Sequence, residues 1–261
     1  MQRVVVISGG SSGIGKALVE RYLAAGDQIF ELSRSGSSRP GVTHISVDVC
    51  DEEQIRLAME QIGQAAGRID LLLNNAGMGI SGALEMTDSA EARRLMDVDF
   101  FGVFLCCKYA LPWLRESKDG RIINTSSVAA VYSIPYQSFY SAAKAAVNSL
   151  SLALANELRP FRIQVAAFMP GDVRSGFTAA RRKDERGDEL YGERIRKAVA
   201  SMEKDEQNGM SPEAIAKAIY RLSTRRRMKP LKSCGLQYQA LLFLGRLLPS
   251  SFINYVLGKM Y

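Results

Sequence analysis

Short apolar runs alternate with helix-like stretches along most of this chain, and this alternation limits the fold more than any other feature of the sequence. The runs lie at residues 4–8, 28–33, 44–47, 70–73, 121–125 and 163–168. β-Branched runs of this length are typical of strands buried on both faces, and their alternation with helices requires crossovers between parallel strands. The pattern predicts an α/β fold, a doubly wound parallel sheet with helices on both faces.

The stretches between these runs carry apolar residues at helical spacing. We expect helices over residues 16–25, from Asp51 onward, over 89–114, over 140–159 and from Ser211 to Ser223. No linker or repeat divides the 261 residues, so the chain is predicted to form one domain over residues 1–261. The most polar stretch, residues 181–208, resembles an inserted surface segment.

Charge and cysteine usage exclude several classes of protein. The net charge of +7 would suit a nucleic acid, but basic clefts also serve anionic small molecules, and we expect no nucleic-acid partner. The cysteines form no CxxC pair and His44 is the only histidine, so neither a metal site nor a Ser–His–Asp triad is predicted. No targeting segment precedes the first run and no apolar stretch is long enough to span a bilayer, which predicts a cytoplasmic protein.

The first strand runs directly into a glycine-rich turn, GGSSGIGKA, which opens the first helix. Glycine permits a tight turn and lets backbone N–H groups approach a pyrophosphate, which the positive end of the helix stabilises. We therefore expect the turn to bind a dinucleotide through Gly9, Ser11, Ser12, Gly13, Ile14 and Gly15. The rival P-loop motif needs Ser or Thr after its lysine, and this chain has Ala17 there.

The end of the second strand bears on the choice of nucleotide. An acidic residue about twenty positions after the glycines usually binds the ribose 2′-hydroxyl of NAD, but Ser33 and Arg34 occupy that place. A guanidinium pairs with a 2′-phosphate that a carboxylate would repel, so NADP(H) is predicted over NAD(H). The alternatives are an Arg34 that stacks on adenine or faces solvent. Strand alternation puts Glu31, the nearest acid, two residues back and farther from the ribose.

Tyr140 and Lys144 lie one helical turn apart in the segment SFYSAAK, so they share a helix face. A nearby ammonium is expected to lower the tyrosine pKa, which suits a general acid in carbonyl reduction and a base in the reverse reaction. The pair alone is common on helices. The catalytic interpretation of the pair is supported by the preceding segment RIINTSSVAAV. This segment reads as a strand, and its end places Ser127 thirteen residues before Tyr140. If this strand lies beside the glycine-loop strand, Ser127 lies over a nicotinamide site.

Taken in order, these motifs resemble those of the short-chain dehydrogenases/reductases, single-domain Rossmann-fold oxidoreductases with TGxxxGxG and YxxxK motifs. SGGSSGIG matches the glycine motif with Ser8 for threonine, and the likeness runs in order over about residues 3–178. The resemblance implies that Asp48 and Val49 contact adenine and that Asn75, Ala76 and Gly77 lie beside the cofactor. The PG…T segment near the nicotinamide is matched by Pro170, Gly171, Val173 and Ser175.

The same resemblance assigns the chemistry, with one departure. It implies that Ser127 orients the substrate carbonyl, that Tyr140 transfers the proton and that Lys144 also holds the nicotinamide ribose. The family usually has asparagine in a VNxxG pattern, and this chain has Asp99 in VDFFG. Its backbone carbonyl is retained, but its carboxylate would oppose the effect of Lys144 on Tyr140. Either unimpaired catalysis or slowed catalysis with a shifted pH optimum would follow.

The C-terminal half leaves the substrate open. Residues 177–208 would form a substrate loop, and residues 229–261 an apolar and basic extension that Pro249 divides in two. The extension is either an interfacial element or lid over an apolar pocket, or an ordinary helix on the core.

Similar tails in relatives that act on lipids favour a hydrophobic ketone, aldehyde or alcohol as substrate. The leading hypothesis is an NADP(H)-dependent oxidoreductase. The alternatives are a catalytically weak nucleotide-binding module, supported only by Asp99, and a membrane-surface protein acting through its tail. By resemblance we expect a homodimer or homotetramer.

Overall fold

The computed structural model describes residues 2–245 and 247–261 of the chain. Its strands are β1 (Val4–Ser8), β2 (Gln28–Ser33), β3 (Val42–Ser46), β4 (Leu71–Asn74), β5 (Ile80–Ser81), β6 (Arg121–Thr125), β7 (Gln164–Met169), β8 (Arg182–Lys183) and β9 (Leu231–Ser233). Its helices are α1 (Gly13–Leu23), α2 (Glu52–Ala66), α3 (Ser89–Met96), α4 (Gly102–Arg115), α5 (Ser138–Glu157), α6 (Phe177–Ala180), α7 (Arg194–Gln207), α8 (Pro212–Ser223), α9 (Leu236–Leu244) and α10 (Ser250–Met260).

Seven strands form one parallel sheet in the order β3-β2-β1-β4-β6-β7-β9, which confirms the predicted doubly wound fold. Chain order reverses between β1 and β4. At such a point the loops that follow the two strands run in opposite directions, and a crevice forms between them at the carboxyl ends of the strands. The strand that leads to Ser127 is β6, which pairs with β4. The condition that it lies beside the glycine-loop strand is therefore not met, because β4 lies between them.

Helices cover both faces of the sheet. One apolar layer lies under α2, α4 and α5 and includes Ile55, Cys106 and Val147. The other lies under α1 and α8 and includes Leu18 and Ile219. Because burying one large aliphatic side chain contributes about 1.5–3 kcal/mol, these two layers hold the strand ends in a fixed arrangement around the crevice.

The helix predicted over residues 89–114 is interrupted. A π-helical turn, Asp97–Phe101, separates α3 from α4, and the Gly102 N–H bonds the carbonyl of Asp97 five residues back. Single π turns inside helices often occur at functional sites. Here the turn contains Asp99, whose side chain is fully buried.

Two regions beyond β7 have more structure than the sequence pattern predicted. The supposed loop over residues 177–208 contains α6, β8 and the fourteen-residue helix α7. The C-terminal extension forms α9 and α10 on either side of Pro249. Among the described residues, no helix is both long and apolar enough to cross a bilayer.

Candidate active site

A cavity of about 610 Å³ lies at the carboxyl ends of the strands. It brings together nineteen of the predicted site residues, namely Gly9, Ser11, Ser12, Gly13, Ile14, Ser33, Arg34, Asp48, Val49, Asn75, Ala76, Gly77, Ser127, Tyr140, Lys144, Pro170, Gly171, Val173 and Ser175. The two others, Gly15 and Asp99, are buried outside the cavity lining.

The glycine turn forms one wall of the cavity and leaves no room for side chains. Gly9 has a φ of 68°, and a Cβ on Gly15 would lie 1.9 Å from the Gly9 carbonyl oxygen. The Ser12 side chain precedes α1 without capping it, so the first N–H groups of the helix stay available to an anion. Because Ser12, Gly13 and Ile14 line the cavity, this wall fits a pyrophosphate.

The neighbouring loop after β4 is fixed against the glycine turn. The Ser8 Oγ accepts hydrogen bonds from the N–H groups of Asn75 and Ala76 at 3.0 and 3.2 Å. The Asn75 side chain donates to the Gly9 carbonyl at 3.2 Å. These bonds hold two adjacent strand ends at a set distance, so this wall of the cavity is preformed.

One end of the cavity carries two guanidinium groups. Arg34 follows β2 and is exposed at the rim, and Arg94 of α3 lines the same cavity. Glu31 is buried, and its carboxylate lies 2.5 Å from His44 Nδ1. The one carboxylate among the residues lining this end is that of Asp48, which accepts the Cys50 N–H at 3.0 Å. A ligand with negative charge at this end would therefore meet mainly cationic side chains.

Ser127, Tyr140 and Lys144 meet where β6 leads into α5. The Ser127 hydroxyl accepts the Ala129 N–H at 3.1 Å, and it lies near the Tyr140 phenol, where it acts to lower the pKa of that phenol. Lys144 Nζ lies 5.6 Å from the centroid of the tyrosine ring and is almost fully buried. The arrangement unites a hydroxyl, a phenol and an ammonium on one cavity wall, which is a set of groups able to move a proton.

Asp99 and Lys144 form a buried ion pair beneath this wall. Asp99 Oδ2 lies 2.9 Å from Lys144 Nζ, and Oδ1 accepts the Met78 N–H at 2.7 Å. Lys144 Nζ also donates to the Thr125 carbonyl at 3.3 Å. Burial alone would lower the pKa of Lys144, but the charges of Asp99 and Tyr140 outweigh it, so the pKa of the ammonium is raised.

The pKa of Tyr140 is raised above its ordinary value, so the expectation of a lowered pKa is wrong. Burial is the largest cause, and the Asp99 carboxylate adds to it. Lys144, Ser127 and Arg181 act in the opposite direction without overcoming burial. Sequence reasoning recognised the lysine but could not weigh desolvation, which depends on the packing around the ring.

Several residues around the catalytic group were not predicted. The Phe177 ring packs at a tilt of 52° against that of Tyr140, with the ring centroids 5.8 Å apart, and Ile134 adds a second apolar surface to the cavity. Glu206 of α7 also lines the cavity, and it pairs with the buried Arg181. The sequence signal for α7 was present in the helical spacing of its buried residues Ile195, Ala198, Val199 and Met202, which lie within the most polar stretch of the chain.

The fold and this site belong to a class of oxidoreductases. The family model described as short chain dehydrogenase matches residues 3–186, which is more than half of the chain. The protein is therefore a member of the short-chain dehydrogenase/reductase family.

Individual relatives cover almost the whole chain. It is 38% identical over 263 residues to the 3-ketodihydrosphingosine reductase of Bacteroides thetaiotaomicron, covering 99% of this chain and 98% of the relative. It is 32% identical to the probable short-chain type dehydrogenase/reductase VdlC of Helicobacter pylori, covering 96% and 95%. A short-chain dehydrogenase structure from Streptomyces avermitilis superposes with a TM-score of 0.86 at 30% identity, covering 94% and 92%. The structure of ElxO with NADP bound has a TM-score of 0.77 at 26% identity, covering 92% and 100%.

Proposed function

We propose that this protein uses NADP(H) to interconvert a hydrophobic ketone or aldehyde and the corresponding alcohol. The observation that carries the proposal is one cavity with the Ser127–Tyr140–Lys144 group on its wall and the guanidinium of Arg34 at its rim. The similarity to a reductase of a 3-keto compound supports the carbonyl substrate. The apolar side chains of Ile134 and Phe177 in the cavity support a hydrophobic one.

Different parts of the cavity would hold different parts of the dinucleotide. The glycine turn would bind the pyrophosphate, Ser33 and Arg34 the 2′-phosphate, and Asp48 and Val49 the adenine. The remaining contacts, toward the nicotinamide, would come from Asn75, Ala76, Gly77, Tyr140, Lys144, Pro170, Gly171, Val173 and Ser175. When bound, the nicotinamide supplies or accepts the hydride.

The side chains supply the proton and the orientation. In reduction, the carbonyl oxygen accepts hydrogen bonds from Ser127 and Tyr140, and the Tyr140 hydroxyl gives up its proton as the carbon gains the hydride. The resulting phenolate is stabilised by the Lys144 ammonium beside it. In oxidation, the phenolate takes the proton from the alcohol. Asp99 holds Lys144 in place through the 2.9 Å ion pair and acts as a positioning residue.

Asp99→Asn is expected to move the pH dependence of alcohol oxidation to lower pH, by about one unit. The Asp99 charge raises the pKa of Tyr140, so its removal lowers that pKa and the phenolate forms at lower pH. The rising limb of log kcat/KM against pH measures the shift. Asp97→Asn, an exposed carboxylate in the same π turn, is the control and should leave the limb in place. If the rising limb lies at the same pH in Asp99→Asn as in the unaltered protein, Asp99 has no part in the proposed mechanism.

Arg34→Ala is expected to weaken NADPH binding by about ten- to a hundredfold and to leave NADH binding within about twofold, because the lost interaction is a charge-assisted pair with the 2′-phosphate. Fluorescence titration of the purified protein with each nucleotide measures both dissociation constants. Arg39→Ala, an exposed arginine outside the cavity, is the matched control. Equal binding of NADPH and NADH by the unaltered protein would overturn the NADP preference, and binding of neither would overturn the proposed function.

Three further assignments belong to this proposal. A homodimer or homotetramer is supported by apolar side chains exposed on α4 and α5, among them Phe104 and Leu152. The chain would form one domain over residues 1–261, with a substrate segment at 177–208. It would act in the cytoplasm, with peripheral membrane contact through residues 229–261.

A further inference from the structure

The C-terminal helix pair exposes an unusual amount of apolar surface. Of the eighteen large apolar side chains that are exposed in the described part of the chain, ten belong to α9, α10 and the turn between them. We call these ten residues the tail face: Leu236, Leu241, Phe243, Leu244, Leu247, Leu248, Phe252, Tyr255, Val256 and Met260. Monomeric soluble proteins rarely expose apolar patches larger than about 300–600 Å² without a partner.

Helix α10 is apolar on two sides. Ile253, Leu257 and the following Tyr261 are partly buried, which is the spacing of one helix face turned toward the protein. Phe252, Val256 and Met260 repeat at the same four-residue interval and are exposed. The inner face accounts for the packing of α10 on the protein. The outer face therefore fits a second apolar surface.

The tail face borders the mouth of the catalytic cavity. The Tyr238 hydroxyl donates to Asp172 Oδ2 at 2.6 Å and accepts the Asp172 N–H at 3.0 Å. The Tyr238 ring covers Gly171, where a Cβ would lie 2.1 Å from the ring. Tyr132 donates to the Leu241 carbonyl at 2.5 Å. Since Gly171 and Asp172 line the cavity, α9 is fixed to its rim.

The charge of this segment selects the partner. Residues 229–261 contain four basic residues and no acidic residue. Lys259 lies beside Tyr255 on α10, and Lys232 donates to Gln239 at the start of α9. Apolar side chains flanked by lysine are the composition of segments that bind the interface of an anionic bilayer.

Two other partners fit these observations less well. An isologous contact with a second copy would bring the same uncompensated cations together. A nucleic acid would pair with the cations but would leave the leucines of the tail face uncovered.

We propose that the tail face docks on the surface of an anionic lipid bilayer and holds the mouth of the cavity at that surface. Apolar side chains of α9 and α10 enter the boundary between headgroups and acyl chains, and the lysines contact the headgroups. A lipid-soluble carbonyl compound then passes from the bilayer to Tyr140 without crossing water. The docking deepens the membrane contact included in the proposed function, and this last step rests in addition on the proposed reaction.

Vesicle co-sedimentation of the full chain tests the docking. Vesicles of phosphatidylcholine and phosphatidylglycerol in equal parts should bind the protein at least about tenfold more tightly than vesicles of phosphatidylcholine alone, because cations add to apolar insertion only on an anionic surface. The triple variant Phe252→Ser/Val256→Ser/Met260→Ser should lose at least about tenfold in affinity. The matched control is Leu57→Ser/Phe161→Ser/Leu190→Ser, three apolar residues that are also exposed but lie elsewhere, and it should bind normally.

A charge variant and the oligomeric state complete the test. Lys232→Gln/Lys259→Gln should weaken binding to the anionic vesicles by about fivefold for each lysine and leave binding to neutral vesicles unchanged. Failure of the unaltered protein to sediment, or equal sedimentation of the tail variant, overturns the proposal. If the tail variant instead dissociates a dimer in light scattering, the face belongs to a second copy and the proposal is also overturned. The NADPH titration is done without vesicles, so a failure of the proposed function gives a separate result.

Discussion

Tyr140→Phe is expected to reduce kcat for carbonyl reduction by about 10²–10⁴-fold, which is the usual contribution of a positioned general acid. The phenylalanine ring keeps the contact with Phe177 and removes only the hydroxyl. The dissociation constant for NADPH should therefore stay within about tenfold, because one hydrogen bond contributes about 0.5–1.5 kcal/mol. Single-turnover oxidation of bound NADPH, followed by absorbance, measures the chemical step.

The control for this variant is Tyr109→Phe. Tyr109 lies on α4, and its hydroxyl donates a 2.6 Å hydrogen bond to the exposed Glu52 of α2. The kcat of this control should equal that of the unaltered protein. If Tyr140→Phe retained more than a tenth of the activity, another group would have to supply the proton, and the role proposed for Tyr140 would be wrong. The hydroxyl of Ser127 would be the next candidate, since it is a donor on the same cavity wall.

Lys144→Met is expected to lower the free energy of unfolding by about 3–5 kcal/mol, because it leaves a fully buried carboxylate without its cation. The loss should depend on pH. Without the lysine, burial raises the folded-state pKa of Asp99 above its unfolded value, and the protonated acid is tolerated in the interior. The variant should therefore be least destabilised below the unfolded pKa of an aspartate, and the loss should grow as pH rises through the folded pKa. Urea unfolding at pH 5 and pH 8 measures both values.

Two further variants isolate the cause. Lys144→Met/Asp99→Asn should recover most of the stability, because it removes the charge as well as its partner, but it should remain inactive. Lys108→Met breaks the pair with Glu52, which is shorter, at 2.7 Å against 2.9 Å, but exposed to solvent, and it should change stability little. If the loss in Lys144→Met is the same at both pH values and persists in the double variant, packing rather than the buried charge is responsible.

Those features that depend on local pattern could be predicted from the sequence. The strands β1, β2 and β6 have the predicted bounds, because each has adjacent large apolar residues at its centre and ends at a polar residue. The glycine turn and the Tyr140–Lys144 spacing are likewise local and identify the two walls of the cavity. The α/β class follows from the alternation itself.

The rest depends on contacts between distant segments. Arg94 of α3 and Glu206 of α7 both line the cavity, at positions that no short motif marks. The order of β4 and β6 relative to β1 does not follow from spacing, so the sequence leaves open which strand lies beside β6. The direction of the Tyr140 pKa shift depends on burial, which only the assembled structure gives.

The π turn at Asp97–Phe101 has a consequence for how this enzyme can change by insertion and deletion. Such a turn holds about one residue more than an α-helical turn, and each residue rotates a helix by about 100°. Deleting one residue here would restore a regular helix but would turn α3, and Asp99 with it, relative to α4. The packing of α4 on α2 would be kept while the carboxylate left Lys144. Length changes at this one point could therefore alter the Asp99–Lys144 ion pair without altering the core packing of α4.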